Sequence, residues 1–137
     1  MTLALWCLPV AILLPYVFTG LAKSIRIRAT GTFDNRDPRA FLAGAEGAAK
    51  RAHNVQLNTF EALPGFVAGV LTATMLEADP SRLDALAVAW VLLRIAYGAC
   101  YVADFASLRS LVWFASLGCV LAMFGICVGG LRLSVVF

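Results

Sequence analysis

The chain has 137 residues, of which 61% are hydrophobic and only 14% charged, and its mean hydropathy is +0.85. This composition excludes a water-soluble monomer, and the long apolar blocks exclude disorder, collagen-like repeats and a small disulfide scaffold. The formal net charge of +3 is too small and too scattered for a nucleic-acid-binding domain, so no nucleic-acid partner is expected.

The first apolar block predicts a transmembrane helix over residues 2–22. It contains no charged residue and has about the 20 residues that a helix needs to cross a hydrocarbon core of ~30 Å. No Lys or Arg precedes the block, and the first basic residue, Lys23, lies at its far end. This arrangement favours a membrane span over a cleaved signal peptide.

Three further blocks predict helices over residues 40–76, 82–103 and 109–132. The second begins with an amphipathic lead-in and ends before Pro80, and the third carries a charged residue, Arg94, near its middle. The loop before the fourth block is short, so the third and fourth helices should form an antiparallel hairpin. The expected fold class is all-α integral membrane, a single domain built as a four-transmembrane-helix bundle.

Basic residues predict the orientation of the bundle. The loop after the second helix offers only Arg82, whereas seven basic residues lie between the first apolar block and the apolar part of the second helix: Lys23, Arg26, Arg28, Arg36, Arg39, Lys50 and Arg51. By the positive-inside rule the first loop is cytoplasmic, and Arg109 joins it at the same surface. Contact with anionic lipid is the alternative interpretation of this cluster.

Polar residues at membrane depth follow two helical stripes. The second helix carries Arg51, Asn54, Asn58 and Glu61, and the third carries Arg94, Tyr97, Tyr101 and Asp104. Both sets are spaced i, i+3, i+7, i+10, which places each set on one face of its helix. Because the two helices run in opposite directions, the stripes are expected to face each other in the half of the bundle next to the first loop.

Two interpretations of these stripes remain open. Glu61 and Arg94 would form a structural ion pair, with Asn58 satisfying the remaining polar groups. The residues nearer the surface, Tyr101 and Arg109 among them, would surround a pocket suited to a small anionic ligand, although tyrosines here also fit an interfacial aromatic belt. A metal site is not expected, since the four cysteines lack ligand spacing and His53 is the only histidine.

The motifs resemble those of the MAPEG family, membrane-associated proteins in eicosanoid and glutathione metabolism. The run Arg51-Ala52 followed by Asn58-Thr59-Phe60-Glu61-Ala62-Leu63-Pro64 resembles the family signature R-A…N-x-x-E-x-x-P. Arg94-x-x-Tyr97-x-x-x-Tyr101 and Leu108-Arg109-Ser110 are similar to the family's third helix and the start of its fourth. The lead-in around Pro38 is similar to bacterial members, which implies a bacterial inner membrane.

The resemblance implies a homotrimer that holds glutathione between adjacent subunits near the cytoplasmic face. By position, Asn58 and Glu61 would bind glutathione's backbone groups and Tyr97 and Tyr101 would hydrogen-bond it. Arg51 and Arg94 would position glutathione, and Arg109 stands where the family has the arginine thought to stabilise the thiolate. Arg26 or Arg28 would meet a glutathione carboxylate or the second substrate.

The resemblance therefore implies a glutathione-dependent transferase or peroxidase acting on lipophilic electrophiles that arrive through the lipid. The pattern departs from the family at Asn54, where the characterised glutathione-using members carry an arginine. This departure leaves a non-catalytic membrane binding module, or use of another thiol, as alternatives. A small proton-coupled transporter built on Glu61 is disfavoured, because Arg94 would neutralise that carboxylate.

Overall fold

The computed structural model describes residues 2–134, with side-chain surroundings described through residue 128. All regular structure within the described residues is helical. The helices are α1 (Leu3–Thr30), α2 (Pro38–Ala43), α3 (Gly47–Met75), α4 (Pro80–Val102) and α5 (Ala106–Ser134).

Three segments of the described chain are long and apolar enough to cross a membrane: Leu3–Thr30, Pro80–Val102 and Ala106–Val128. Helix α3 has comparable length, at 29 residues, but its first half carries the polar stripe from Arg51 to Glu61. Those side chains lower its mean hydropathy, so hydropathy alone does not mark α3 as a span.

Helix α1 extends beyond the segment expected from hydropathy. It continues from Ala22 to Thr30 and ends at Gly31, whose φ of +70° is the left-handed conformation that glycine adopts without strain. Lys23, Arg26 and Arg28 therefore lie on a helix and not in a loop.

The expected lead-in to the second helix is a separate element, α2. Asp37 begins α2 by accepting a hydrogen bond from the backbone N–H of Ala40 at 2.9 Å, and Gly44 ends it. Helix α3 then starts at Gly47, which has a φ of +54°. The chain bends here because glycine permits the positive φ that a continuous helix would exclude.

The helices pack around a core that runs the length of the bundle. At its middle, Phe66 of α3 stacks on Trp90 of α4 with ring centroids 4.0 Å apart and an interplanar angle of 10°. Near the α4–α5 turn, the Phe18 ring occupies the space that a side chain at position 98 would need, so Gly98 allows α1 and α4 to approach closely. At the opposite end, Asp84 accepts a hydrogen bond from the backbone N–H of Ala4 at 2.7 Å and ties α4 to the start of α1.

Helices α4 and α5 form the antiparallel hairpin expected from the short loop. The connection is residues 103–105, and Asp104 adopts a left-handed φ of +69°. Helix α5 starts earlier than expected, at Ala106, so Arg109 lies in its first turn, where its N–H donates to the carbonyl oxygen of Phe105 at 2.9 Å.

Candidate functional site

The polar stripes of α3 and α4 face each other. At the end nearest the α4–α5 turn, Arg51 donates from Nε to the carbonyl oxygen of Val102 at 3.1 Å, and its Nη1 lies 3.7 Å from a carboxylate oxygen of Asp104. One turn further, the Asn54 side-chain amide donates to the hydroxyl of Tyr101 at 3.3 Å. The antiparallel arrangement expected from the spacing is therefore present.

The most deeply buried contacts between the two stripes are centred on Arg94, whose side chain is 0% exposed. Its Nη2 donates to Asn58 Oδ1 at 2.7 Å, and longer contacts of 3.5 Å reach the hydroxyls of Thr59 and Ser116. The guanidinium also lies over the ring of Tyr97, 4.4 Å from its centroid. Helices α3 and α5 thus contribute hydrogen-bond acceptors, and α4 contributes an aromatic ring, around one buried cation.

Glu61 and Arg94 do not form the direct ion pair that the sequence suggested. Among the described residues, the Glu61 carboxylate accepts a hydrogen bond from Asn58 Nδ2 at 3.3 Å, and the other end of the same amide accepts from Arg94. Glu61 is exposed on the surface of the single chain, while Arg94 is fully buried. Asn58 separates the two charges, because its one amide has both the acceptor that Arg94 needs and the donor that Glu61 needs.

A cavity of about 230 Å³ lies beside Arg94, Asn58 and Glu61. We call it the midspan cavity; its lining comprises Asn58, Glu61, Ala62, Gly65, Trp90, Arg94, Trp113, Ser116, Leu117 and Val120. Most of the lining is apolar, and its charged groups are Glu61 and Arg94. The buried Nε–H of Arg94 has no hydrogen-bond acceptor among the described residues, so one donor of the guanidinium remains unsatisfied.

A second cavity, of about 250 Å³, lies next to the α4–α5 turn. This turn cavity is lined by Tyr97, Tyr101, Arg109, Ser110, Trp113 and Phe114. The guanidinium carbon of Arg109 lies 4.4 Å from the centroid of the Tyr101 ring, and the rings of Tyr97 and Tyr101 meet edge to face at 5.7 Å. Trp113 lines both cavities, so the two spaces adjoin at its side chain.

Three residues expected at the site lie outside both cavities of the single chain. Arg51 is held at the end of α4 by the contacts described above. Arg26 lies over the ring of Phe41, 4.6 Å from its centroid, and Arg28 is exposed.

The structure adds Trp90, Trp113 and Ser116 to the site, none of which the sequence analysis singled out. Arg109, Trp113, Ser116 and Val120 are spaced i, i+4, i+7, i+11 and form one stripe on α5. The same spacing argument that found the stripes of α3 and α4 would have found this one. It was missed because Arg109 is the only charged residue in the stripe.

The arrangement suits an anion that also carries a cationic group. Two guanidinium groups and two phenols supply donors, while Glu61 is the only carboxylate that lines either described cavity. No group of three or more His, Cys, Asp or Glu side chains within the described residues is placed to hold a metal ion.

Comparison with known families gives one match. The model of the MAPEG family matches residues 3–129, which is nearly the whole chain. Searches of the curated proteins and of the solved structures give no match.

Proposed function

The chain belongs to the MAPEG family, and from this premise we propose that it is a glutathione-dependent transferase or peroxidase that acts on lipophilic electrophiles. Its three apolar helices and its family make it an integral membrane protein. The observation that carries the proposal is the adjoining pair of cavities. One is lined by Arg94, Asn58 and Glu61, of which Arg94 is buried and hydrogen-bonded through Asn58 to Glu61. The other is lined by Arg109 and two tyrosines, and Trp113 lines both cavities.

Glutathione has two carboxylates, one ammonium group and a thiol. In the proposed complex Glu61 binds the ammonium group, because it is the only carboxylate that lines the described cavities. Asn58 binds the polar backbone, and the buried Arg94 positions it through the hydrogen bond from Nη2 to Asn58 Oδ1. Tyr97 and Tyr101 donate hydrogen bonds.

Arg109 has the catalytic role in this proposal. A free thiol with a pKa near 8.5 is mostly protonated at neutral pH, and a neighbouring guanidinium favours the thiolate. The thiolate sulfur then attacks an electrophilic carbon, forming the C–S bond while the leaving group departs with its electron pair. With a hydroperoxide, sulfur bonds to the terminal hydroxyl oxygen while the O–O bond breaks, and the alkoxide leaves with that electron pair and takes a proton from water to become the alcohol. The thiol of a second glutathione then displaces hydroxide from the resulting sulfenic acid, which gives the disulfide and water.

The exposure of Glu61 supports a homotrimer with α3 as the fourth span. A carboxylate halfway along such a helix would face lipid in a single chain, at a cost of the order of 2–3 kcal/mol. A neighbouring subunit that covers Glu61 and Gly65 removes this cost and closes the midspan cavity. The number three comes from the family, as does glutathione between adjacent subunits.

We also propose that the protein lies in a bacterial inner membrane. The α4–α5 turn and the basic segment formed by the end of α1 and the residues after it then lie in the cytoplasm. The basic residues of that segment support this orientation by the positive-inside rule. Glutathione then enters from the cytoplasm, and the lipophilic substrate enters from the bilayer.

A non-catalytic binding module of the same fold is the second candidate, and Asn54 favours it. The side-chain amide of Asn54 is bonded to Tyr101. An arginine at this position would instead present a cation to a glutathione carboxylate. Arg51 comes from the preceding turn, but it is engaged with Asp104 and Val102. The activity assay below separates the two candidates.

The proposed activity is tested with the purified protein in lipid nanodiscs. We expect glutathione conjugation to a lipophilic aryl halide, or glutathione-dependent reduction of a lipid hydroperoxide, above the rate in empty nanodiscs. Binding of glutathione without turnover of either substrate class would favour the non-catalytic module.

Glu61→Gln separates binding from folding. Because Glu61 is exposed and reaches Arg94 only through Asn58, we expect the thermal unfolding midpoint to change little. The loss of the charge opposite the ammonium group should weaken glutathione binding about tenfold, the scale of one charge-assisted hydrogen bond. Glu77→Gln, an exposed substitution in the α3–α4 turn, is the matched control. Equal affinity of the two variants would remove Glu61 from the site.

A further inference from the structure

The segment where α1 ends and the chain folds back through α2 carries the densest positive charge of the protein. We call residues 23–44 the basic elbow. It contains five basic residues, Lys23, Arg26, Arg28, Arg36 and Arg39, against two acidic ones, Asp34 and Asp37. Both acidic side chains accept local backbone hydrogen bonds, Asp34 from Arg36 and Asp37 from Ala40.

The length of α1 places the basic elbow at the membrane boundary. At 1.5 Å per residue, the uncharged residues 3–22 span about 30 Å, which is the thickness of a hydrocarbon core. Lys23 is therefore the first residue beyond the core, and the last two turns of α1 lie at the level of the lipid headgroups. Leu42 of α2 packs with Ala22 of α1 and Ala52 of α3, so α2 is held against the bundle at the same level.

Aromatic rings in the basic elbow lie next to its cations. The Lys23 ammonium lies 5.3 Å from the centroid of the Phe33 ring, and Phe33 meets Phe41 edge to face at 5.3 Å. Phe33 is 42% exposed. An exposed phenylalanine beside lysine at this depth matches the boundary between headgroups and hydrocarbon, where apolar rings reach acyl chains and long basic side chains reach phosphates.

Arg26 has hydrogen-bonding capacity that the chain leaves unused. Its guanidinium is held over Phe41 and against the backbone at Gly44, where a Cβ would lie only 2.9 Å from Nη2. The buried Nε and Nη1 atoms have no hydrogen-bond acceptor within the described residues. No described residue forms an ion pair with any of the five cations. A fixed guanidinium that no described carboxylate neutralises, flanked by further cations, is complementary to a phosphate group.

From these observations we propose that the basic elbow is a docking site for the headgroup of an anionic phospholipid. The phosphodiester lies near Arg26, the cationic side chains of Lys23, Arg36 and Arg39 supply long-range attraction, and Phe33 contacts the first part of the acyl chains. A membrane lipid fits better than a soluble anion because the rings and the end of the apolar stretch place the cations at headgroup depth. The proposal does not depend on glutathione use.

The test is native mass spectrometry of the protein released from micelles with equal amounts of phosphatidylglycerol and phosphatidylcholine of identical acyl chains. We expect the wild type to retain phosphatidylglycerol preferentially. The triple variant Lys23→Gln/Arg36→Gln/Arg39→Gln should lower the ratio of bound phosphatidylglycerol to phosphatidylcholine by about tenfold or more, since each Lys or Arg near an anionic surface accounts for a factor of about five. These three side chains line neither cavity.

Arg82→Gln is the matched control, because it removes an exposed arginine at the opposite end of the bundle. It should leave the lipid ratio unchanged. If the triple variant unfolds in phosphatidylcholine alone, the single charge reversal Arg39→Glu at an exposed position replaces it, with the same direction expected. Equal retention of the two lipids by the wild type would overturn the proposal. Displacement of bound phosphatidylglycerol by inorganic phosphate or glutathione would also overturn it, because the cluster would then be a site for soluble anions.

Discussion

Arg109→Leu is expected to abolish the thiolate of bound glutathione while leaving the protein folded. The guanidinium is half-buried in the first turn of α5, lines the turn cavity and stacks on Tyr101. It makes no ion pair with a described residue, so its charge is available to a ligand. Without it the thiol keeps its proton near neutral pH, and the rate of conjugation should fall about 100- to 1000-fold, the usual effect of removing one group that stabilises developing negative charge.

The readout is the ultraviolet absorbance of the thiolate when glutathione is mixed with the protein, followed by the single-turnover rate. Arg109→Lys keeps the positive charge but replaces the planar guanidinium with an ammonium group, so it should retain part of the thiolate absorbance. Arg82→Leu removes an arginine at the far end of the bundle and should behave as the wild type. Undiminished absorbance in Arg109→Leu would assign thiolate stabilisation to another residue.

Arg94→Leu is expected to have the largest effect on folding. It removes the donor to Asn58, the longer contacts to Thr59 and Ser116, and the stacking on Tyr97. The half-buried Asn58 would lose its hydrogen bond to a charged donor, which contributes about 1–3 kcal/mol, and the lost cation–π contact adds of the order of 1–2 kcal/mol. The free energy of unfolding should therefore fall by about 3 kcal/mol.

Glutathione affinity should be lost in the same variant, because Asn58 is no longer held in place and the midspan cavity loses its cation. Equilibrium unfolding in detergent micelles measures the first effect, and a binding titration at low temperature, where the variant is folded, measures the second. Arg94→Lys retains the charge but not the planar set of donors. Its stability and its glutathione affinity should both lie between those of the wild type and those of Arg94→Leu. Wild-type stability in Arg94→Leu would mean that the buried network contributes no net stabilisation.

The sequence predicted the parts of the site that depend on helical periodicity. The spacing of Arg51, Asn54 and Asn58 on one helix and of Arg94, Tyr97 and Tyr101 on the other places both stripes correctly, and the turn between α3 and α4 gives the two helices opposite directions. These features follow from the geometry of an α-helix and need no knowledge of packing.

Other features depend on distances between side chains and on backbone conformation, which the spacing of residues along the sequence does not determine. Glu61 and Arg94 are on facing stripes, but whether they touch depends on which amide lies between them, and Asn58 takes that position. The end of α1 was placed too early because hydropathy falls at Lys23, whereas the helix itself ends only where Gly31 provides a left-handed residue. The bend before α3 similarly depends on the backbone of Gly47.

The most direct test of the central claim is calorimetric titration of glutathione into the purified protein in detergent micelles, with Asn58→Ala as the comparison. Asn58 is hydrogen-bonded to both Arg94 and Glu61, so a glutathione site built on these three residues requires Asn58. We predict saturable binding to the wild type and at least tenfold weaker binding to the variant. The absence of saturable binding at millimolar glutathione, or equal affinity in Asn58→Ala, would contradict the account.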